Sequence, residues 1–142
     1  MIMKVLGTAA LVAAFSLGYM LRGSMPGEPV AFAQGGKVFE LRTYTAGEGK
    51  LDLLHARFRN HTLGYFKKHG ITNVLYGKPL DAPLSQNTML YLLSYPNREA
   101  AKKSWEAFRA DPGWMKAREE SGVGDVKISS VYFEPTDYSP MK

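Results

Sequence analysis

Met89-Leu90-Tyr91-Leu92-Leu93-Ser94-Tyr95 carries apolar side chains on both sides of an extended chain, with Met89, Tyr91 and Leu93 on one face and Leu90 and Leu92 on the other. A strand greasy on both sides belongs in the middle of a sheet that is covered on both sides. Pro96 ends the run. Asn97 is suited to cap a following helix, because its side chain can accept from an N–H that has no partner inside the helix. Arg98–Ala110 then aligns Ala101, Trp105 and Phe108 on one helical face, and Asp111-Pro112-Gly113 breaks that helix. Trp114–Ser121 reads as a further short helical stretch, Val126–Phe133 as a last strand, and Glu134–Lys142 as a polar tail.

Upstream, Val38-Phe39-Glu40-Leu41-Arg42-Thr43-Tyr44 alternates strictly, with Phe39 and Leu41 on one face and Glu40, Arg42 and Tyr44 on the other. Gly47 and Gly49 break this strand. Lys50–His69 has helical periodicity, with Leu51, Leu54, Phe58, Thr62, Tyr65 and Phe66 in one stripe and Arg57, Arg59, Asn60, Lys67 and Lys68 largely outside it. Gly70 suits the left-handed conformation that closes a helix. Ile71–Lys78 reads as a second strand and Pro79–Asn87 as a polar loop.

Two strand–helix–strand units in this order predict an α+β, ferredoxin-like βαββαβ sandwich. Its helices cover one face of the sheet, which leaves the doubly apolar third strand in need of cover on the other. A second copy packed sheet to sheet supplies it, so the sequence predicts a homodimer forming a dimeric α/β barrel.

The chain has 142 residues, 45% hydrophobic and 22% charged, with no cysteine. Such a composition excludes collagenous, disulfide-scaffolded and fully disordered classes and leaves room for one domain. That domain is expected over residues 37–142, after an N-terminal segment of different character. Val5–Leu21 is an uncharged run of 17 residues that would span about 25 Å as a helix, against about 30 Å of hydrocarbon. Gly23–Gly36 is aperiodic, and Ala31-Phe32-Ala33 has the small-x-small form that signal peptidase accepts. Residues 1–36 are therefore expected to be an export signal cleaved after Ala33, or a retained membrane anchor with a linker. Either delivers the domain to a bacterial periplasm or its inner-membrane surface. The net charge of +5 is scattered. With no compact Lys/Arg cluster interleaved with aromatics, nucleic acid is not an expected partner.

Five segments resemble the NIPSNAP family. They are Val38–Tyr44, Phe58-Arg59-Asn60-His61-Thr62, Phe66-Lys67-Lys68-His69-Gly70, Trp105–Pro112, and Pro135-Thr136-Asp137-Tyr138-Ser139-Pro140 after Phe133. The resemblance runs from Val38 to Pro140 in matching order. It implies a dimeric α/β barrel, in agreement with the pattern above, and no defined reaction or cofactor. The family's animal members are associated with mitochondria, vesicle trafficking and mitophagy signalling, roles that the export segment makes a poor transfer. Cofactor-free oxygenases and isomerases share this general fold, an analogy that assigns no chemistry.

Two constellations could carry function. His55, His61 and His69 lie on or beside the apolar stripe of one helix, and His61 and Tyr65 are i,i+4 neighbours able to share a proton. They are candidate catalytic residues in a cleft between helix and sheet; equally, they are hydrogen-bonded border residues of the core, with His69 assisting the helix C-terminus. Glu40, Arg42 and Tyr44, pointing away from the helices, would face the barrel interior and orient a small anionic or apolar ligand, with His69 as a further contact; equally, the Glu–Arg pair is structural at the dimer seam. Trp105, Phe108 and Trp114 read as core packing or as a ligand box. The histidine spacings, without nearby carboxylates, predict no metal site. No phosphate-binding glycine loop or nucleophile motif is present. The expected protein is thus a small-molecule- or partner-binding homodimer, with a cofactor-independent oxygenase or isomerase as the alternative.

Overall fold

A computed structural model of the chain describes residues 36–142. Its elements are β1 (Val38–Ala46), α1 (Leu51–Arg57), a π-helical turn (Phe58–Thr62), α2 (Leu63–Lys68), β2 (Thr72–Gly77), β3 (Thr88–Tyr95), α3 (Arg98–Ala110), α4 (Pro112–Glu120) and β4 (Val126–Phe133). The strands form one antiparallel sheet in the order β2-β3-β1-β4, the ferredoxin-like arrangement. Residues 1–35, which hold nearly all of the expected export segment or anchor, lie outside the described residues. Among the described residues no helix is long and apolar enough to cross a membrane.

Local chemistry explains the boundaries. The Asn97 side chain accepts from Ala100 N–H at 2.8 Å and opens α3. Asp111 caps α4 by accepting from Gly113 and Trp114 N–H, with Pro112 in the first turn, where a missing N–H costs nothing. Gly70 closes α2 with φ 75°, a backbone setting that a side chain would strain.

The helices cover one sheet face, and an aromatic core lies between. Phe58, Phe66, Tyr91, Trp105, Phe108 and Trp114 are all buried there, with Leu54, Ile71, Met89 and Leu93 among them. On the other face the register aligns Leu75, Leu92, Leu41 and Val131 in one row across all four strands. Leu41, Leu75 and Val131 are 43%, 64% and 56% exposed. The doubly apolar character of β3 is therefore real, and its second side is uncovered in a single chain.

Two expectations need correction. Glu40, Arg42 and Tyr44 face the helices, whereas Phe39 and Leu41 lie on the outer face. Alternation fixes which residues share a face but not which face turns inward. Here Glu40 and Tyr44 are buried and Arg42 nearly so, held by hydrogen bonds to one another, while on the outer face Leu41 is exposed and Phe39 is buried against Phe133. The second correction concerns the long helix. Leu54, Phe58, Thr62 and Phe66 recur every four residues and are all buried. That spacing drifts around an α-helix, and the wider π turn cancels part of the drift. Past that turn His61 faces solvent, while Arg57, read as outside the stripe, is buried within α1, three residues after Leu54.

Candidate functional site

Glu40 is buried on the helix-facing side of β1, beneath α3. Its Oε2 accepts from Tyr95 Oη at 2.6 Å and Trp105 Nε1 at 2.8 Å, and its Oε1 from Ser130 Oγ at 2.6 Å and from Arg42 Nη1. Burial pushes the carboxyl upward, but Ser130, Tyr95 and Arg42 together hold it below its ordinary value. Arg42 in turn donates through Nε to Tyr91 Oη at 2.8 Å, and its guanidinium lies 4.3 Å from the Trp105 ring centre. Burial opposes its charge, while Tyr91, Tyr44 and Glu40 raise its pKa. This pair is internally balanced.

Beside it opens a cleft of about 200 Å³ between β4, the sheet and the helices α3 and α4. Four arginines line it, Arg42, Arg57, Arg109 and Arg118, and among the described residues no carboxylate does. The walls are Tyr44, Trp105, Phe108 and Trp114, with Val126 and Ile128 from β4. Arg109 and Arg118 are exposed, but Arg57 is only 6% exposed. Its guanidinium forms no ion pair or hydrogen bond among the described residues, and Nε is buried without a partner. Burial and the neighbouring Arg118 push its pKa below the ordinary arginine value, with Tyr44 pulling the other way. The ring of Trp114 lies 5.5 Å from the Arg57 guanidinium. A contact of that kind returns about 2 kcal/mol at best, whereas desolvating an ion costs several kcal/mol. The site therefore carries a positive charge that no side chain among the described residues neutralises.

Arg57 is the residue that periodicity missed. The signal that could have found it is its place three residues after Leu54 and next to Phe58, at the edge of the buried stripe. Trp105, Phe108 and Trp114, weighed above as core packing or as a ligand box, pack in the core and also line the cleft.

The histidine candidates are dispersed. His61 is exposed, and its neighbour Tyr65 packs instead against Trp114, at 6.2 Å between ring centres, and against Gly113. His69 Nε2 lies 2.7 Å from Asp111 Oδ2, which also accepts from Lys68 Nζ at 2.7 Å, so this group ties the end of α2 to the start of α4. Tyr65 Oη and His69 thus brace α4, one wall of the arginine cleft, without lining it. His55 borders a separate open groove of about 670 Å³ along β2, with Asp52, Arg59 and Lys78. Its Nε2 is buried and unpartnered, and burial together with Lys78 pushes its pKa down. Among the described residues no three His, Cys, Asp or Glu side chains group to hold a metal ion.

Residues 39–140 match the NIPSNAP family model. No curated protein matches the chain. Among solved structures it is similar to an uncharacterized NIPSNAP-like domain protein from Burkholderia xenovorans, at 16% identity over 73% of this chain and 89% of that one, with a TM-score of 0.65. It is similar also to a NIPSNAP family protein of unknown function from Agrobacterium tumefaciens, at 17% identity over 75% and 95%, with a TM-score of 0.66. SnoaB, a cofactor-independent oxygenase from Streptomyces nogalater, is similar at 12% identity over 75% and 99%, with a TM-score of 0.53. At such identities the likeness is one of fold alone.

Proposed function

This chain belongs to the NIPSNAP family, and from that premise we propose that it is a homodimer that binds a small organic anion in the cleft between β4 and the helices α3 and α4. The observation that carries the reading is Arg57, a buried arginine whose Nε has no partner, in a cleft that among the described residues is lined by arginines and by no carboxylate. A protein that keeps such a group inside gains stability whenever an anion neutralises it, because a ligand that binds the folded state shifts unfolding by mass action. Dimerisation is supported by the uncovered Leu75–Leu92–Leu41–Val131 row, an apolar surface of the kind that marks an interface. Delivery of the domain beyond a membrane rests on the Val5–Leu21 run and the Ala31-Phe32-Ala33 site, and the N-terminal residue of protein from its own host tests it.

The binding reading is tested by melting the protein with acetate and benzoate at fixed ionic strength. A rise in melting temperature that disappears in Arg57→Met supports it. Equal behaviour of the two proteins overturns it. The alternative, a cofactor-independent oxygenase or isomerase, draws on His55, whose Nε2 is unpartnered beside the groove along β2, rather than on His61 with Tyr65. Oxygen uptake with a phenolic substrate, lost in His55→Ala but kept in Arg57→Met, would favour it.

A further inference from the structure

Of the four arginines, only Arg57 combines burial with lack of a partner. Arg42 is engaged by Glu40 and Tyr91, and Arg109 and Arg118 are exposed, where salt screens them. One buried positive charge is balanced by one negative charge, so a monoanion fits better than a phosphoryl group carrying two. The planar guanidinium matches a carboxylate in a two-pronged hydrogen bond. The rest of the lining is aromatic or aliphatic. Ile128 lies on the helix-facing row opposite Tyr44, yet it is 49% exposed, an apolar side chain left bare beside the charge. At about 200 Å³, the cleft falls below the roughly 300–1,000 Å³ of sites for drug-sized ligands. It suits a single ring, not a nucleotide.

Resting on the anion-binding reading above, we propose that the occupant is an aromatic monocarboxylate, its carboxylate on Arg57 and its ring against Ile128 and the surrounding aromatic walls. Arg109 and Arg118 at the rim draw such an anion in and make capture faster at low salt.

Both tryptophans of the chain line the cleft, so intrinsic fluorescence reports its occupancy directly. The probes are benzoate, its neutral isostere benzamide, acetate and inorganic phosphate, titrated at constant ionic strength. Saturable quenching is expected with benzoate and not with benzamide. Arg57→Met is expected to weaken benzoate by about tenfold or more, as loss of a charge-assisted hydrogen bond does. Ile128→Thr, on the half-exposed β4 surface, keeps the test open should the Arg57 variant fail to fold. It should weaken benzoate several-fold and leave acetate unchanged. Acetate or phosphate binding as tightly as benzoate, with the same dependence on Arg57, overturns the aromatic assignment and leaves the anion site standing. No Arg57-dependent binding of any of the three anions overturns both.

Discussion

Trp105 Nε1 donates to Glu40 Oε2 at 2.8 Å, so α3 is fastened to the central strand β1 through a buried carboxylate and not by apolar contact alone. The same carboxylate neutralises Arg42. Removing its charge therefore exposes two weaknesses at once, donors without an acceptor and a cation without a counter-ion.

Glu40→Gln is expected to destabilise the domain by about 3–5 kcal/mol, the cost of breaking a buried pair from one side. In a domain of this size that corresponds to a fall in Tm of more than about 10 °C. The double variant Glu40→Leu with Arg42→Met, which removes both charges, should lose less than the single one. Calorimetric melts decide it, and a single variant melting within a few degrees of the parent would contradict the account.

Acid should unfold the protein through its held-down carboxylates. Glu40 is lowered against the opposing effect of its burial by Ser130, Tyr95 and Arg42; Asp111 is lowered further, chiefly by Lys68 and His69. A carboxyl lowered in the folded state stabilises fully above its unfolded pKa, near 4, and loses that contribution as pH falls through the folded value. Urea midpoints are expected to be level above about pH 5 and to fall steadily below about pH 4. Asp111→Asn keeps the helix cap and should make the acid limb shallower.

Gly113 has no side chain because Tyr65 occupies the space. A Cβ there would collide with the Tyr65 hydroxyl and press on Cε1 and on Asp111 Oδ1, each at 3.2 Å. Gly113→Ala should lower Tm, and adding Tyr65→Phe should restore part of the loss. Absence of any rescue would place the cost in the Asp111 cap instead.

Leu41→Lys puts a charge in the middle of the four-strand apolar row, and Val131→Lys puts one at its β4 end. If that row is covered by a second copy, light scattering should show dimer for the parent and monomer for the variants, with far-ultraviolet spectra unchanged. A dimer that survives both substitutions would move the interface elsewhere.

Several features were legible because they depend on short-range chemistry. The order of strands and helices followed from period-two and helical patterns, and Asn97, Asp111-Pro112-Gly113 and Gly70 marked their ends. The two-sided apolarity of Met89–Tyr95 already implied a sheet whose second face is uncovered in one chain. Five segments in register also pointed to the family whose model matches residues 39–140.

The site was not legible in the same way. Alternation in Val38–Tyr44 is symmetric between inward and outward, and Trp105, Tyr95 and Ser130, distant in sequence, make the polar side the buried one. Helical periodicity assumes a constant angle per residue, which the turn at Phe58–Thr62 breaks, sending His61 out, while Arg57 at the edge of the stripe is covered by packing that includes Trp114. Sequence by itself determined the elements, their ends and the apolar content of each face, since these rest on neighbouring residues. Tertiary structure alone decided which face of β1 is inside and which cation stands buried without a partner, because both depend on hydrogen bonds and packing between segments far apart in the chain.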